Sequence, residues 1–459
     1  ENIIMDSVQN LSLLGIEKIQ GEKLQHMLKL CQLGHKFYQK LWKKKGFNVA
    51  NISNVHDLES LPLTQKQDLM CTPNDFRLNL PLDYPLHERA LWEVLYTTGS
   101  TADPVPIFNT TYDYHAYLYQ SKAVAEISGI YESDIIANLF PLTPAPMGAF
   151  VRSAGNAYAI GSKIFAALPG GAFSPFDLQN SLDQVVSRIE KHRASILWGV
   201  PSYIRRLLLR ALELSVNLSS IRMCAITGEA TSVALREDIR RCLRDMGVKN
   251  PLIFNRYGST ELGAFAQCRE EGDWHNPTPD LQYHEIVDPV TGQRLSDGER
   301  GALAVTHLDR RGTVLIRFLV GDIVSIDRSP CPHCGRTSER IVGPVVRTKD
   351  LVKVKGMLIN PDVLLSALQS LAFIAEFQIV IQNENKQDTL SMDEMLIRVE
   401  LKSECNIDSS NKIKEQVNRA VNITPRIEFV NRGEIYRVGE QIKAVRFIDN
   451  RVTSDRSVR

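Results

Sequence analysis

The chain has 459 residues, of which 43% are hydrophobic and 23% are charged, and its formal net charge at pH 7 is +1. A chain of this length can fill a large core and is expected to divide into two or more domains. The balanced charge argues against partners such as nucleic acid or an anionic membrane surface. No apolar stretch reaches the roughly 20 uninterrupted residues of a transmembrane helix. Eight cysteines are too few for a disulfide framework, so we expect a cytoplasmic protein.

Helical and extended patterns alternate along most of the chain. Residues 17–45 carry Leu and Met at steps of three and four, which predicts a helix. From about residue 92 onward, short apolar runs alternate with amphipathic stretches, which indicates an α/β fold. The predicted strands are 91–96, 196–200, 221–227 and 251–257, and the predicted helices beside them are 179–192 and 233–247.

The last third of the chain has a different pattern. Alternating segments within 283–327, among them GALAVTHL and TVLIRFLV, predict an antiparallel β subdomain. Beyond residue 350, strand-like and helix-like segments predict a small α+β domain. We therefore expect a large multi-layer α/β N-terminal domain over residues 1–348 that includes the β subdomain. A small C-terminal domain is expected to occupy residues 349–459.

A loop of small hydroxyl residues follows the first predicted strand. Residues 97–104 have the sequence TTGSTADP. Backbone amides and hydroxyls in such a loop can bind an anion as neutral donors, and this position after a strand suits a triphosphate. Taken alone, the loop is equally compatible with a plain turn.

Four later segments add side chains that a nucleotide site would use. The segment YGSTE (257–261) offers an aromatic ring, a glycine, hydroxyls and a carboxylate that could bind Mg²⁺. The segment RFLVGD ends at Asp322, and RTKDLVKVKG (347–356) is basic. Lys443 lies near the C-terminus.

Taken in order, these segments resemble the adenylate-forming acid ligases, and most closely the phenylacetate–CoA ligase branch. That branch has a TSGTTGKP-like loop, a GAEP-like turn, a YGxTE loop, an RYRTRD segment, a GRTDDxxxxRG hinge and a C-terminal lysine. This chain has TTGSTADP, TGEA (227–230), YGSTE, RFLVGD, RTKDLVKVKG and Lys443. The early ESLPLTQKQDL (59–69) is also similar to the branch's LPxTxKxDL segment. The likeness covers nearly the whole chain.

The resemblance implies which residues bind ATP and Mg²⁺. The residues that would surround the ATP phosphates are Thr97, Thr98, Gly99, Ser100 and Thr101. Those that would line the adenine and acyl pocket are Gly228, Glu229 and Ala230. In the YGSTE loop, Tyr257 would lie against adenine beside Gly258 and Ser259, Thr260 would contact the α-phosphate, and Glu261 would hold Mg²⁺.

The resemblance also implies a hinge and a mobile C-terminal lid. Asp322 would bind the ribose hydroxyls with Arg347 nearby, Lys349 would be the hinge residue, and Gly356 would line the thiol channel. Lys443 would bridge the carboxylate and the α-phosphate during adenylation, with Lys353 as the nearest competitor for this cationic role. Lys443 and Mg²⁺ would together offset the repulsion between two anions. Rotation of the lid about the hinge would then admit the acyl acceptor.

The chain departs from the family pattern in the phosphate loop. The usual Gly-Lys pair is replaced here by Ala102 and Asp103. Loss of that lysine removes one phosphate contact but leaves the backbone amides in place. We therefore expect weaker ATP binding rather than none.

Two pairs of cysteine and histidine residues have the spacing of a metal site. Cys268 and His275 follow the YGSTE loop, and CPHCGR contributes Cys331 and Cys334. Four such ligands fit tetrahedral Zn²⁺, with His333 as an alternative ligand. A closed site of this kind would be structural. The competing interpretation is a set of reduced thiols near a turn.

The candidate acyl pocket is apolar. The resemblance places it in segments 138–155 and 198–206. The residues that we expect to line it are Phe140, Met147, Phe150, Trp198, Gly199 and Val200. Such a cavity would suit an aryl or medium-length acyl group.

Three functions remain open at this point. The first is an acid–CoA ligase, in which ATP, a carboxylic acid and CoA give acyl-CoA, AMP and pyrophosphate. The second shares the adenylation step but passes the acyl group to an amine or a carrier-protein thiol. The third is a nucleotide-binding protein without activity. A homodimer is an open possibility for the oligomeric state.

Overall fold

The structure is a computed structural model. It describes residues 8–97, 105–142, 148–170, 179–228, 231, 233–288, 291–347, 352–354, 357–359, 361–384, 393–402, 407–421, 423–436 and 445–451. The described chain forms two compact units. The first is drawn from 1–138, 142–165 and 254–348, and the second from 139–141, 166–253 and 349–459.

Helices and strands alternate along the chain. The helices are α1 (Leu13–Gly34), α2 (Lys36–Lys45), α3 (Lys66–Cys71), α4 (Leu86–Arg89), α5 (Thr111–Ser128), α6 (Gly148–Val151), α7 (Ser153–Ile160), α8 (Leu182–His192), α9 (Pro201–Glu213), α10 (Val233–Asp245), α11 (Pro361–Gln369) and α12 (Ile407–Val421). Short 3₁₀ helices occupy Val8–Asn10, Val49–Asn51, Val55–Ser60 and Pro73–Phe76. Among the described helices, none is both long enough and apolar enough to cross a bilayer.

The strands that precede residue 260 are mostly short. They are β1 (Leu91–Tyr96), β2 (Pro106–Thr110), β3 (Ile135–Asn138), β4 (Lys163–Ala166), β5 (Ile196–Gly199), β6 (Met223–Ile226), β7 (Leu252–Asn255) and β8 (Tyr257–Ser259). The later strands are β9 (Gly263–Gln267), β10 (Trp274–His275), β11 (Gln282–Val287), β12 (Gly301–His307), β13 (Phe318–Asp327), β14 (Arg340–Arg347), β15 (Val352–Val354), β16 (Met357–Ile359), β17 (Ile374–Asn383), β18 (Asp393–Leu401), β19 (Arg426–Phe429) and β20 (Phe447–Asp449).

A seven-stranded sheet forms the centre of the first unit. Its strand order is β11-β12-β13-β14-β10-β9-β8, and its described pairings are antiparallel. This arrangement confirms the predicted β subdomain. Apolar residues of α1 and α2, such as Leu24 and Tyr38, share a buried core with Leu303 and Phe318 of the sheet. The N-terminal helices therefore cover the strands that carry the candidate site.

The predicted N-terminal helix is interrupted at one residue. His35 ends α1 and starts α2 with extended backbone angles of −104° and 100°. Its Nδ1 accepts a hydrogen bond from the Tyr38 amide at 3.3 Å, and its Nε2 donates to the Val314 carbonyl at 3.1 Å. The buried imidazole therefore joins the start of α2 to the segment that enters β13.

The predicted strand TVLIRFLV is only partly a strand. β13 begins at Phe318, because Arg317 adopts a left-handed φ of 46°. The preceding apolar residues Val314, Leu315 and Ile316 are buried in a connection. An alternating pattern does not distinguish a strand from a buried connection of this kind.

The second unit contains a parallel pair of strands. β5 and β6 run parallel from Ile196↔Met223 to Gly199↔Ile226, and α9 lies between them in sequence, beginning at Pro201. This βαβ arrangement confirms the α/β pattern.

A four-stranded sheet lies near the C-terminus, also within the second unit. Its order is β19-β18-β17-β20. It has its own buried core, which includes Leu364, Phe377, Ile397 and Val417. The predicted small α+β domain is therefore present.

Candidate active site

Tyr257 and Asp322 are joined by a short hydrogen bond. The Tyr257 hydroxyl donates to Asp322 Oδ2 at 2.6 Å, which is a distance typical of a hydroxyl bonded to a carboxylate. Asp322 is buried and lies opposite Arg347 in the pairing of β13 with β14. The ring of Tyr257 lies 5.7 Å from the Phe265 ring and 5.8 Å from the Trp274 ring. Packing and hydrogen bonding thus fix the tyrosine beside the carboxylate.

Glu261 is a buried carboxylate that interacts with two cationic side chains, Lys66 and Arg310. Its side chain is only 4% exposed, and its Oε1 lies 3.7 Å from Lys66 Nζ. Its backbone carbonyl accepts a hydrogen bond of 2.9 Å from His307 Nε2, and His307 Nδ1 accepts one of 3.1 Å from the Leu315 amide. Burial, with help from Arg310, lowers the pKa of His307 to about 3. The imidazole is therefore neutral, and its two hydrogen bonds connect the backbone at Glu261 to the backbone at Leu315.

Two glycines make the YGSTE loop tight. A Cβ on Gly258 would lie 2.1 Å from the Gly263 carbonyl oxygen, and Gly263 has a φ of +72°. Ser259 Oγ accepts a hydrogen bond from the Leu262 amide at 3.2 Å, which closes the turn that contains Thr260. These contacts hold the carboxylate of Glu261 on a rigid hairpin.

Thr97 is hydrogen-bonded to Val105, on the other side of the predicted phosphate loop. Its amide donates to the Val105 carbonyl, and its hydroxyl accepts from the Val105 amide, each at 3.1 Å. The rest of the predicted loop, Thr98, Gly99, Ser100 and Thr101, lies outside the described residues.

Other predicted residues also lie outside the described part of the chain. They are Met147, Glu229, Ala230, Lys349, Gly356 and Lys443. Arg347 and Lys353 are described through their backbone alone, in β14 and in the pairing of β15 with β16. Their roles stay predictions.

The candidate acyl residues Phe140, Trp198 and Gly199 meet in the second unit. The rings of Phe140 and Trp198 are 5.4 Å apart, and both side chains are buried. A Cβ on Gly199 would lie 2.9 Å from Leu139 Cβ, so no larger residue fits there. Phe150, in α6, belongs to the first unit.

Gly199 and Gly228 lie at the same edge of the parallel pair. Gly199 ends β5, and Gly228 follows β6 with a φ of +93°. The Thr227 amide donates to the Gly199 carbonyl at 3.2 Å. The carboxyl ends of parallel strands are the usual place for ligand binding in α/β sheets.

The four predicted metal ligands converge in the first unit. The ligand atoms of Cys268, His275, Cys331 and Cys334 all lie within 4.8 Å of one another. Cys268 Sγ is 3.9 Å from Cys331 Sγ, and Cys334 Sγ is 3.6 Å from His275 Nε2. Tetrahedral Zn²⁺ with Zn–S of about 2.3 Å and Zn–N of about 2.0 Å would place such atom pairs about 3.5–3.8 Å apart.

The surroundings of the cluster also suit a metal ion. Burial, together with Arg340 and Arg336, lowers the pKa of His275 to about 4, so its imidazole is neutral as a ligand requires. Burial and the two neighbouring thiols raise the pKa of Cys268 to about 12 when no cation is present. A cation among these thiols would oppose that rise. The alternative ligand His333 is exposed and is not part of the cluster.

Sequence reasoning assigned no role to two charged residues that the structure places at key positions. Lys66 lies beside Glu261, and Arg317 is buried against Glu285. Lys66 belongs to the ESLPLTQKQDL segment, so the resemblance offered a signal for it. The apolar run around Arg317 gave no indication that this residue would form a buried ion pair with Glu285.

Solved structures with the same fold are acyl-adenylate-forming enzymes. A 2-hydroxyisobutyryl-CoA ligase in the postadenylation state with 2-HIB-AMP aligns over 97% of this chain and 91% of its own, with a TM-score of 0.80 and 22% identity. An anthranilate CoA ligase in complex with anthranoyl-AMP aligns over 78% of this chain and 66% of its own, with a TM-score of 0.55 and 18% identity. The fold is therefore that of the adenylate-forming enzymes.

Family models identify the chain more closely. Residues 17–307 match the AMP-binding enzyme family, and residues 356–451 match the AMP-binding enzyme C-terminal domain. The chain belongs to the AMP-binding enzyme family.

Curated relatives are named phenylacetate–coenzyme A ligases. The protein from Thermus thermophilus is 24% identical over 84% of this chain and 81% of its own length. The one from Escherichia coli is 23% identical over 98% of both. The resemblance to this branch of the adenylate-forming enzymes is confirmed.

Proposed function

We propose that this chain is an AMP-forming acid–thiol ligase that uses CoA as acceptor. A carboxylate oxygen attacks the α-phosphorus of ATP, and pyrophosphate leaves. The CoA thiol then attacks the acyl-adenylate carbonyl, and the products are acyl-CoA and AMP. The observation that carries the proposal is the grouping of Tyr257, Asp322 and buried Glu261 in one unit of a chain whose relatives are acid–CoA ligases.

The described residues provide one end of the nucleotide site. Asp322 accepts ribose hydroxyls, and Tyr257 both orients that carboxylate and presents its ring to adenine. Glu261 is a hard oxygen ligand suited to Mg²⁺, which commonly takes one or two carboxylates and completes its shell with water and phosphate. When bound, Mg²⁺ would neutralise charge on the phosphates. Thr260 precedes Glu261 in the chain and would contact the α-phosphate.

The C-terminal residues complete the proposed mechanism. Lys443 neutralises the developing charge on the α-phosphate during adenylation, and Lys349 in segment 347–356 is the hinge residue. The proposed boundary between the domains at 348 and 349 is supported by the separate buried core that starts at Val354 and by the C-terminal family match over 356–451.

We also propose an aryl or medium-length acyl group as substrate. Phe140 and Trp198 provide buried aromatic surface close to the carboxyl end of β5. The curated relatives are named for phenylacetate, which is an aryl acid. An apolar wall of this kind binds a phenyl ring mainly through burial of its surface.

The nature of the acceptor distinguishes the proposed ligase from its alternatives. An amine or a carrier-protein thiol would use the same adenylation step. The names of the relatives favour CoA, and the loss of the loop lysine is the one feature that favours an inactive nucleotide-binding protein. A homodimer and a cytoplasmic location stay predictions.

The test measures adenylation and thioester formation separately. Pyrophosphate release is measured over a panel of aryl and aliphatic acids, and CoA is then added and the thioester is identified by mass. Pyrophosphate release with phenylacetate or a related acid, followed by acyl-CoA, supports the proposal. Release without thioester would indicate another acceptor, and no release with any acid would contradict ligase activity.

A second proposal concerns zinc. We infer that Cys268, His275, Cys331 and Cys334 bind one structural Zn²⁺. The separations of 3.9 Å and 3.6 Å between ligand atoms are close to those of a tetrahedral site. With four protein ligands the ion has no open position for substrate. It would connect the turn at 331–334 to β10 and to the end of β9.

A further inference from the structure

We propose that Arg206 is a positioning residue for the adenylation step, because it anchors Tyr436 to α9. Tyr436 precedes Lys443 by seven residues in the sequence. The inference rests on the proposed function, since it takes Lys443 as the cation of adenylation and the C-terminal domain as the part that rotates before thioester formation.

The contact joins two segments that are far apart in sequence but belong to the same compact unit. Arg206 Nη2 donates a hydrogen bond of 3.1 Å to the Tyr436 carbonyl. The guanidinium carbon of Arg206 also lies 5.3 Å from the centre of the Tyr436 ring, which is within the range of a cation–π interaction. One arginine thus holds both the backbone and the ring of Tyr436.

The C-terminal sheet holds the same segment from its own side. The amide of Ile435 donates to Glu400 Oε1 at 2.8 Å, and Glu400, in β18, is buried. Ile435 and Tyr436 are buried as well. The residues that precede Lys443 in the sequence are therefore held between β18 and α9.

Helix α9 places this anchor next to the strand of the candidate acyl pocket. The helix follows β5, which contains Trp198. Tyr203 and Arg206 are three residues apart and therefore share one face of the helix. Burial and the nearby Tyr436 phenol raise the pKa of Tyr203, so both Tyr203 and Arg206 face Tyr436. Tyr436 thus packs against the beginning of α9.

The chemistry of the contact suits one that breaks in each catalytic cycle. Arg210, one turn later on α9, forms an ion pair with Asp183. Arg206 has no carboxylate partner in the described part of the chain and binds the Tyr436 carbonyl and ring instead. Breaking a buried ion pair leaves a charge without its partner, which is costly. A carbonyl carries no net charge, so Arg206 can release it when the C-terminal domain rotates.

The competing interpretation is a contact that only stabilises the fold. Loss of such a contact lowers the amount of active protein and therefore slows every step equally. A positioning contact affects one step. It is needed while Lys443 faces the α-phosphate, and it is already broken when the acceptor thiol attacks.

The test compares the two half-reactions in variants of Arg206. Arg206→Met removes the guanidinium and keeps the stem, and Arg210→Met is the matched control, because Arg210 pairs with the exposed Asp183 and Glu213 on the same helix. Pyrophosphate release in Arg206→Met should be about ten- to hundredfold slower, from the loss of a hydrogen bond to a charged group. Thioester formation from preformed acyl-adenylate should change less than about twofold. Arg210→Met should match the parent chain in both half-reactions.

Two further variants separate the parts of the contact. Arg206→Lys should recover most of the adenylation rate, because an ammonium can also donate to the carbonyl and lie over the ring. Tyr436→Leu removes the ring and keeps the backbone carbonyl, so it should slow adenylation less than Arg206→Met does. In the double variant the loss should be smaller than the product of the single losses, because the two residues share one contact. If Arg206→Met does not fold, Arg206→Gln is measured in the same way.

Hydrogen exchange provides a measurement that does not depend on activity. A peptide that covers residues 431–436 should exchange faster in Arg206→Met than in the parent chain, because local opening becomes easier once the anchor is lost. The same peptide in Arg210→Met should exchange at the parent rate.

Three results would overturn the proposal. They are equal slowing of both half-reactions in a folded Arg206→Met, an adenylation rate within about twofold of the parent, and unchanged exchange over residues 431–436. Failure of the proposed function would look different. The parent chain would then release no pyrophosphate with any acid, and the exchange comparison would still decide whether Arg206 anchors this segment.

Discussion

The hydrogen bond between Tyr257 and Asp322 gives the sharpest test of the nucleotide site. Tyr257→Phe removes the hydroxyl and keeps the ring, so any stacking on adenine is preserved. The bond is 2.6 Å long and ends on a carboxylate that is 9% exposed. Loss of a hydrogen bond to a charged group costs about 1.5–3 kcal/mol. For a protein unit of this size, Tm should fall by roughly 3–10 °C.

A matched control is available in the same sheet. Tyr283 in β11 is 3% exposed, and its hydroxyl has no hydrogen-bond partner among the residues that the structure describes. Tyr283→Phe removes the same atom without breaking a bond, so its unfolding free energy should stay within about 0.5 kcal/mol of the parent value. The pair of variants separates the hydrogen bond from the loss of a hydroxyl.

Kinetics complete the test. In Tyr257→Phe, Asp322 loses a hydrogen-bond donor. If Asp322 binds the ribose as proposed, KM for ATP should rise while KM for the acid stays unchanged. Calorimetric or fluorescence melts and pyrophosphate-release kinetics measure the two effects. Equal Tm values for Tyr257→Phe and Tyr283→Phe, or a rise in KM for the acid alone, would refute the reasoning.

Three more predictions address the lid, the metal and pH. Lys443→Ala should slow adenylation far more than thioester formation from preformed acyl-adenylate, and equal slowing of both would contradict its role. Purified protein should contain about one zinc ion per chain, and chelation should lower Tm; much less zinc and an unchanged melt would exclude the site. Burial lowers the pKa of His307 to about 3 and of His35 to about 4. Unfolding exposes both to protonation near pH 6.5, so the unfolding free energy should fall as pH drops from about 6.5 toward 4, by up to about 1.4 kcal/mol per pH unit for each. A flat pH profile in denaturant titrations would show that these imidazoles are not buried and neutral.

Local patterns predicted the regular elements well. The segment LWEVLY forms β1 over Leu91–Tyr96, and the predicted strands near 196 and 221 form the parallel pair of β5 and β6. β5 and β6 are buried apolar runs next to amphipathic helices, whereas β1 alternates exposed and buried residues. Both patterns are carried within about 30 residues of sequence. The metal cluster was also predictable, because cysteine and histidine spacing is read directly from the chain.

Residues that act through distant partners were not predictable in this way. Arg317 lies in an apolar run, yet its guanidinium donates to Glu285 at 3.1 and 3.2 Å and to the Leu61 carbonyl at 2.6 Å. A buried arginine is tolerated because these acceptors compensate for its desolvation. No periodicity in the sequence indicates which carboxylate or carbonyl will be there.

The N-terminal helices are hydrogen-bonded to the segment that enters β13, the strand of Asp322. The Tyr38 hydroxyl accepts from the Ile316 amide at 2.6 Å and lies 3.2 Å from Thr64 Oγ1. Thr64 in turn is hydrogen-bonded to Ile316, Arg317 and Leu319, where the strand that carries Asp322 begins. Because these bonds are buried, a change at Tyr38 would move the start of β13 rather than only loosen the surface. The N-terminal segment around Tyr38 and Thr64 therefore holds the start of the strand that carries Asp322.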